Sequence, residues 1–154
     1  MDNPKRKRIR LTNFDYSSQT AYYLTICTKN RTPSLSRICV TEDRRIVVDL
    51  SPKGQKVQEY ILGIPKHYTD FSLLSYIIMP DHIHLIVGIE QGDKPSSIPN
   101  AIKAFKRLTT KEFGEQIWQE RYYDHVIRNE AELQTKIEYI ETNPLRMLLK
   151  TGCL

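Results

Sequence analysis

The sequence predicts an α+β domain: a ferredoxin-like (RRM-like) βαββαβ antiparallel sheet with helices packed on it, and one additional helix at the C-terminal end. Three observations carry this. The chain has 154 residues, room for one domain of ordinary size. Segments of strand period alternate with segments of helical period in the order strand, hairpin, helix, two strands, helix, short strand, helix. Two consecutive strand-like runs, Phe71 to Met79 and His82 to Ile89, are separated only by Pro80-Asp81, which punctuates them as a tight turn. That pair forms the antiparallel centre of the βαββαβ order.

Each element follows from local chemistry. Tyr22 to Thr28 is rich in β-branched and aromatic residues and reads as a strand. Arg37 to Leu50 reads as a hairpin with a polar turn near Glu42-Asp43-Arg44. A helix follows Ser51, the N-cap, with Pro52 at the first helical position. Its apolar residues Val57, Tyr60, Ile61 and Ile64 fall at i, i+3, i+4 and i+7. After a polar loop a second helix holds Ile98, Ile102, Phe105 and Thr109 on one face. Tyr122 to Ile127 reads as a short strand. The last helix starts at Asn129 with Glu132 at the capping-box position, carries Leu133, Ile137 and Ile140 as its core stripe, and is expected to end at Pro144. Residues 1–16 form a basic arm ahead of a single domain over 17–154.

Composition narrows the class. Hydrophobic residues make up 40% and charged residues 27%, which argues against disorder over the whole length. No apolar run reaches the ~18 residues of a membrane helix, and the basic start lacks the apolar stretch of a secretory signal. Cys27, Cys39 and Cys153 are an odd number without metal-site spacing and read as thiols of a reducing cytosol. The expected location is the cytoplasm, in association with the nucleoid during action. The net charge of +5 is clustered. Lys5, Arg6, Lys7, Arg8 and Arg10 face only Asp2 in the first ten residues, and Lys103, Lys106, Arg107 and Lys111 have no acid between them. Clusters of this kind are the footprint of a polyanion, usually nucleic acid; a solvated helix face and a frayed tail are the plainer alternative.

The chemistry concentrates in Met79-Pro80-Asp81-His82-Ile83-His84-Leu85-Ile86-Val87. Alternate residues of a strand share a face, so His82 and His84 stand together, about 7 Å apart along the chain, while Ile83, Leu85 and Val87 face the other way. Two neutral imidazoles can converge on one cation; two histidines satisfied by polar neighbours are the alternative. On the last helix, 100° per residue from Leu133 puts Ile137 and Ile140 within about 40° of zero, and Tyr139 and Asn143 near 240° and 280°. A phenol and a carboxamide one turn apart thus flank the core stripe. Taken alone, they read as a half-buried tyrosine and a helix-ending asparagine.

The run MPDHIHLIV, the basic amphipathic helix, WQERYYDHVIRNEAEL and YIETNPL together resemble the HUH single-tyrosine transposases. Among them the resemblance is to the REP-associated tyrosine transposase branch of the insertion-sequence-200-like family. It extends from the strand YYLTICTKN to Pro144. It implies metal-binding histidines at His82 and His84, a nucleophile at Tyr139 and a third metal ligand at Asn143, where better-known members carry Gln. The implied reaction is metal-dependent cleavage and strand transfer of single-stranded DNA through a 5′-phosphotyrosine, with Mg²⁺ or Mn²⁺ as the ion and hairpin or palindromic repeats as substrate. The protein would act as a monomer or homodimer. A free tyrosine, with a pKa near 10, needs activation to act as a nucleophile at neutral pH.

Tyr122 and Tyr123 are rival nucleophiles; as strand neighbours they point to opposite faces, so only one can reach the histidines. They otherwise serve packing or base stacking. His125 is a candidate for a supporting or DNA contact, or simply a structural histidine. Trp118 is a candidate for stacking on a base, although a lone Trp is more often core. Lys5, Arg6, Lys7, Arg8, Lys103, Lys106, Arg107 and Lys111 are the candidate phosphate contacts. Two other readings compete: a non-catalytic nucleic-acid-binding relative with the same sheet, and a metallohydrolase. The second is disfavoured because no further acid or histidine follows His84 nearby.

Overall fold

The computed structural model describes residues 14–152. The arm residues Lys5, Arg6, Lys7 and Arg8, together with Cys153, lie outside them. The sheet is built from β1 (Gln19–Cys27), β4 (Phe71–Ile78), β5 (His82–Glu90) and β6 (Tyr123–Ile127), in the order β4-β5-β1-β6 with every pair antiparallel. Helices α1 (Pro52–His67) and α2 (Ile98–Phe113) connect the strands, which is the ferredoxin-like arrangement expected. A hairpin of β2 (Ser36–Val40) and β3 (Ile46–Leu50) forms its own two-stranded sheet between β1 and α1. Helix α3 (Glu130–Thr151) closes the chain.

The period of the strands divides the interior into two cores. On one side Leu24, Ile26, Ile83, Leu85 and Val87 meet Val57 and Ile61 of α1 and Ile102 and Phe105 of α2. On the other, Ala21, Tyr23, Ile77 and Ile86 meet Leu133 and Ile140 of α3, with Ile38 and Val48 of the hairpin beside them. Full burial of each such aliphatic side chain contributes about 1.5–3 kcal/mol, so both faces of the sheet are stabilised and neither is a free platform. Phe14 and Tyr16, within the span expected as arm, also pack against this second core.

Local signals held at several ends. The Ser51 hydroxyl accepts from the Gly54 amide at 3.0 Å and caps α1. Gly54 has to be glycine: a Cβ there would sit 1.9 Å from the Leu35 carbonyl oxygen. The Asn129 side chain caps α3 by accepting from the Glu132 amide at 2.8 Å. The Glu132 carboxylate does not turn back to complete the capping box; it pairs instead with His125 Nε2 at 2.6 Å. His125 is thereby a tie between β6 and α3.

Two expectations are corrected. Pro144 does not end the last helix; it lies inside α3, which continues to Thr151 and stops at Gly152 in the left-handed region (φ 75°). Proline removes one helical N–H and disfavours helical geometry before it. Burial outweighs this: Asn143, Pro144 and Leu148 are all buried. Arg146 adds hydrogen bonds across the proline turn, from Nη1 to the Thr142 hydroxyl at 2.9 Å and from Nη2 to the Tyr139 carbonyl. Trp118 is a core residue, 1% exposed, packed on Phe105 with its indole N–H donating to Thr109 Oγ1 at 2.9 Å. A ring so enclosed offers no face to a base. Among the described residues no helix is long and apolar enough to cross a membrane.

Candidate active site

β5 begins directly after the Pro80-Asp81 turn, which is closed by the Met79 amide donating to the His82 carbonyl at 2.8 Å. The turn sets the phase of the strand, and with it the face on which the histidines stand. Cross-strand pairing then places Thr25 opposite His84 and Cys27 opposite His82, with Tyr23 opposite Ile86 and His125. His82, His84, Tyr23 and Thr25 therefore line the face covered by α3. The rings of His82 and His84 meet edge to face with centroids 4.7 Å apart.

Helix α3 brings Tyr139 over this pair. Its ring centroid is 5.8 Å from that of His84 and 6.3 Å from that of Tyr23, edge-on to both. Tyr139 is 44% exposed, whereas His84 is only 5% exposed: the phenol is open to a substrate and the imidazole forms the floor. Asn143, one turn further along, is buried at 8%. Of the rival tyrosines, Tyr123 shares the histidine face and makes an edge contact with Tyr23 at 6.3 Å. Tyr122 turns to the opposite core and lies under the Lys106 ammonium.

Each histidine has its Nδ1 engaged. His82 Nδ1 is 2.7 Å from Asp81 Oδ1, and the other oxygen of that carboxylate accepts from Arg31 Nε at 3.1 Å. His84 Nδ1 is 2.9 Å from both the Tyr23 hydroxyl and the Thr25 hydroxyl. Burial, reinforced by the nearby charges of His82, Arg146, Arg31 and Lys136, pushes His84 down to about 3, so its ring is neutral at physiological pH. Burial likewise pushes the Tyr23 hydroxyl up to about 12, which excludes it as a ready phenolate. The donor set suits a divalent ion of borderline character: two imidazoles with Nδ1 engaged, whose remaining ring nitrogen is Nε2 in each case. Among the described residues no three His, Cys, Asp or Glu side chains gather around one point, so further donors would be an amide such as that of Asn143, phosphate oxygens or water.

Three cations that the sequence reading passed over surround this floor. The Arg146 guanidinium lies over the Tyr139 ring, 3.7 Å from its centroid, and Lys136 Nζ lies 4.7 Å from the Tyr23 ring. Arg31 stands behind Asp81. A signal for two of them was present: Lys136, Tyr139, Asn143 and Arg146 are spaced by three, four and three residues and share one stripe of the helix.

The basic helix α2 belongs elsewhere. It packs on the Leu24, Leu85 and Val87 side of the sheet, away from the histidines. Lys103, Arg107 and Lys111 are exposed there. Lys106 is committed: its ammonium donates to the carbonyls of Gln119 and Glu120 at 2.7 and 2.9 Å, tying α2 to the segment before β6. It is thus a structural cross-tie and no longer a free phosphate contact.

The site thus sets a tyrosine-bearing helix over a pair of histidines on an inner strand of the sheet, and comparison with known proteins places the chain in a class of transposases. The profile of the family described as "Transposase IS200 like" matches residues 16–143, and the chain belongs to that family. Within it, the similarities point to the REP-associated tyrosine transposase branch. The chain is 28% identical to the REP-associated tyrosine transposase of Escherichia coli over 98 residues, 63% of this chain and 58% of that one. It is 27% identical to an uncharacterized protein of Haemophilus influenzae over 164 residues, 91% of this chain and 88% of the relative. Its fold matches the solved structure of a REP-associated tyrosine transposase bound to a REP hairpin, with a TM-score of 0.67 at 22% identity over 96% of this chain and 74% of the other.

Proposed function

We propose that this transposase cleaves and rejoins single-stranded DNA at hairpin-forming repeats, with Tyr139 as nucleophile. The observation that carries the reading is the Tyr139 phenol, exposed on α3 with its ring 5.8 Å from that of the buried, neutral His84. His82, His84 and Asn143 are the residues that would hold Mg²⁺ or Mn²⁺. Such an ion supplies charge neutralisation at a phosphodiester during displacement.

The protein groups do the rest. The Tyr139 oxygen forms a bond to phosphorus and gives up its proton, while the bond from phosphorus to the 3′-oxygen breaks and that oxygen leaves as a hydroxyl. The fragment on the 3′ side of the cut remains on Tyr139 through its 5′-phosphate as a phosphotyrosine, and another strand's 3′-hydroxyl reverses the step. Lys136 and Arg146, beside Tyr23 and Tyr139, supply positive charge where the phosphate must lie, an environment that favours the developing anion. Lys103, Arg107 and Lys111, exposed on α2, and Lys5, Arg6, Lys7 and Arg8 of the arm provide sequence-independent grip on the backbone. A hairpin substrate is supported by the structural neighbour, whose DNA is a REP hairpin.

The test is incubation of the full chain with hairpin-bearing single strands and Mn²⁺. The expected product is a denaturant-stable protein–DNA adduct that mass spectrometry maps to Tyr139. Tyr139→Phe should abolish it and leave hairpin binding intact. An adduct on Tyr123, or hairpin binding with no adduct under any condition, would overturn the assignment.

A further inference from the structure

Resting on the metal-site reading above, we infer that Asp81 with Arg31, and Tyr23 with Thr25, are positioning residues. They hold each histidine by its Nδ1 so that both Nε2 atoms are delivered to one cation.

The two anchors differ in kind. A carboxylate only accepts hydrogen bonds, so the 2.7 Å contact from Asp81 Oδ1 requires a proton on His82 Nδ1, which makes Nε2 the nitrogen left to face a cation. Arg31 holds the second carboxylate oxygen at 3.1 Å, which stops Asp81 from rotating away. Around His84, two hydroxyls 2.9 Å from a single nitrogen cannot both donate to it, because a neutral imidazole nitrogen has one lone pair. Both can accept from one Nδ1–H, as a shared bond. Tyr23 reinforces the ring's orientation, stacked on it with centroids 5.4 Å apart and an interplanar angle of 22°. Partners of this type set the tautomer and aim of a metal-binding histidine, and removing them typically weakens metal binding 10–100-fold.

The backbone gives an independent indication at Arg31. It lies in the left-handed region at φ 55°, next to Asn30 at φ 58°. Non-glycine residues rarely adopt this conformation, and such strain persists only where the surroundings over-determine it. The strained turn delivers the guanidinium to both Asp81 and the Cys27 sulfur, which it meets at 2.7 Å. Glycine would serve the backbone better at this position, so the arginine is there for its side chain.

The experiment uses the full chain and two readouts. In metal-free protein, ¹⁵N NMR of the imidazoles reports which nitrogen of each histidine carries the proton. The expected result is Nδ1–H for both His82 and His84, with mixed tautomers at His84 in the Tyr23→Phe/Thr25→Val double variant and at His82 in Asp81→Leu. Electron paramagnetic resonance of free Mn²⁺ then gives affinity without DNA. Tyr23→Phe/Thr25→Val and Asp81→Leu should each weaken Mn²⁺ binding 10–100-fold, Arg31→Gly should weaken it several-fold without loss of thermal stability, and Tyr23→Phe/Thr25→Ser, which keeps a hydroxyl at position 25, should bind Mn²⁺ more tightly than Tyr23→Phe/Thr25→Val. The inference is overturned by predominant Nε2–H tautomers in the wild type, or by variants that bind Mn²⁺ as the wild type does. If the tautomers are as expected but neither wild type nor His82→Ala binds Mn²⁺, the metal-site reading has failed and the delivery of Nε2 to a cation falls with it.

Discussion

The Arg146 guanidinium lies 3.7 Å from the centre of the Tyr139 ring, on the same helix and two turns further along. It is fastened there by the Thr142 hydroxyl and the Tyr139 carbonyl. A cation over an aromatic face contributes about 0.5–2 kcal/mol, and here it also fixes the rotamer of the proposed nucleophile. Arg146→Gln should therefore slow covalent adduct formation about 2- to 30-fold, as measured in single-turnover assays with saturating hairpin DNA. Arg146→Lys should fall between, since lysine keeps the charge and loses the fork. An unchanged rate in Arg146→Gln would remove Arg146 from the reaction.

A pH dependence follows from His84. Its folded-state value of about 3 lies below the ordinary 6.5 because of burial and the neighbouring positive charges. Between those values the unfolded chain binds a proton that the folded protein does not, so stability is full above about pH 6.5 and declines as pH falls toward 3. Urea midpoints in the presence of a chelator should drop between pH 6.5 and 4. His84→Gln should flatten the profile across that window; an identical slope in the variant would contradict the burial argument.

The lysines of α2 should separate by role. Lys103→Gln and Arg107→Gln should each reduce the slope of log affinity against log salt by about 1 and leave the urea midpoint in place. Lys106→Met removes the donor to two backbone carbonyls. It should cost about 1–3 kcal/mol of stability while the salt slope stays that of the wild type.

Trp118 gives a fourth check. Trp118→Phe keeps most of the packing but leaves Thr109 without the indole donor, a loss of about 1 kcal/mol. Trp118→Ala should cost about 3–5 kcal/mol. Affinity of the folded Phe variant for single-stranded DNA should equal that of the wild type; a drop would restore the base-stacking role.

Much of this architecture was legible because strand and helix periods are local. The alternation from His82 to Val87 placed histidines and aliphatics on opposite sides, and both cores obey it. The stripe of Tyr139 and Asn143 followed from helical geometry, as did the caps at Ser51 and Asn129. What escaped depends on distant partners. Nothing near Lys106 in sequence announces that Gln119 and Glu120 will take its protons. Glu132 had the capping-box spacing, yet His125 was the nearer partner once β6 lay beside α3. Proline propensity at 144 lost to the burial of its neighbours, a tertiary effect that no window of residues contains. Arg31 was silent because its importance rests on a positive φ and a carboxylate fifty residues away.

β5 runs between two antiparallel partners, with His82 facing Cys27 and His84 facing both Thr25 and Ile77. Imidazole and aliphatic side chains alternate along its first half. A slip of one position would push both imidazoles into the aliphatic layer and turn isoleucine toward Tyr139. Neighbours on either flank forbid that slip, so any insertion or deletion within this strand should extinguish chemistry and solubility together rather than one at a time.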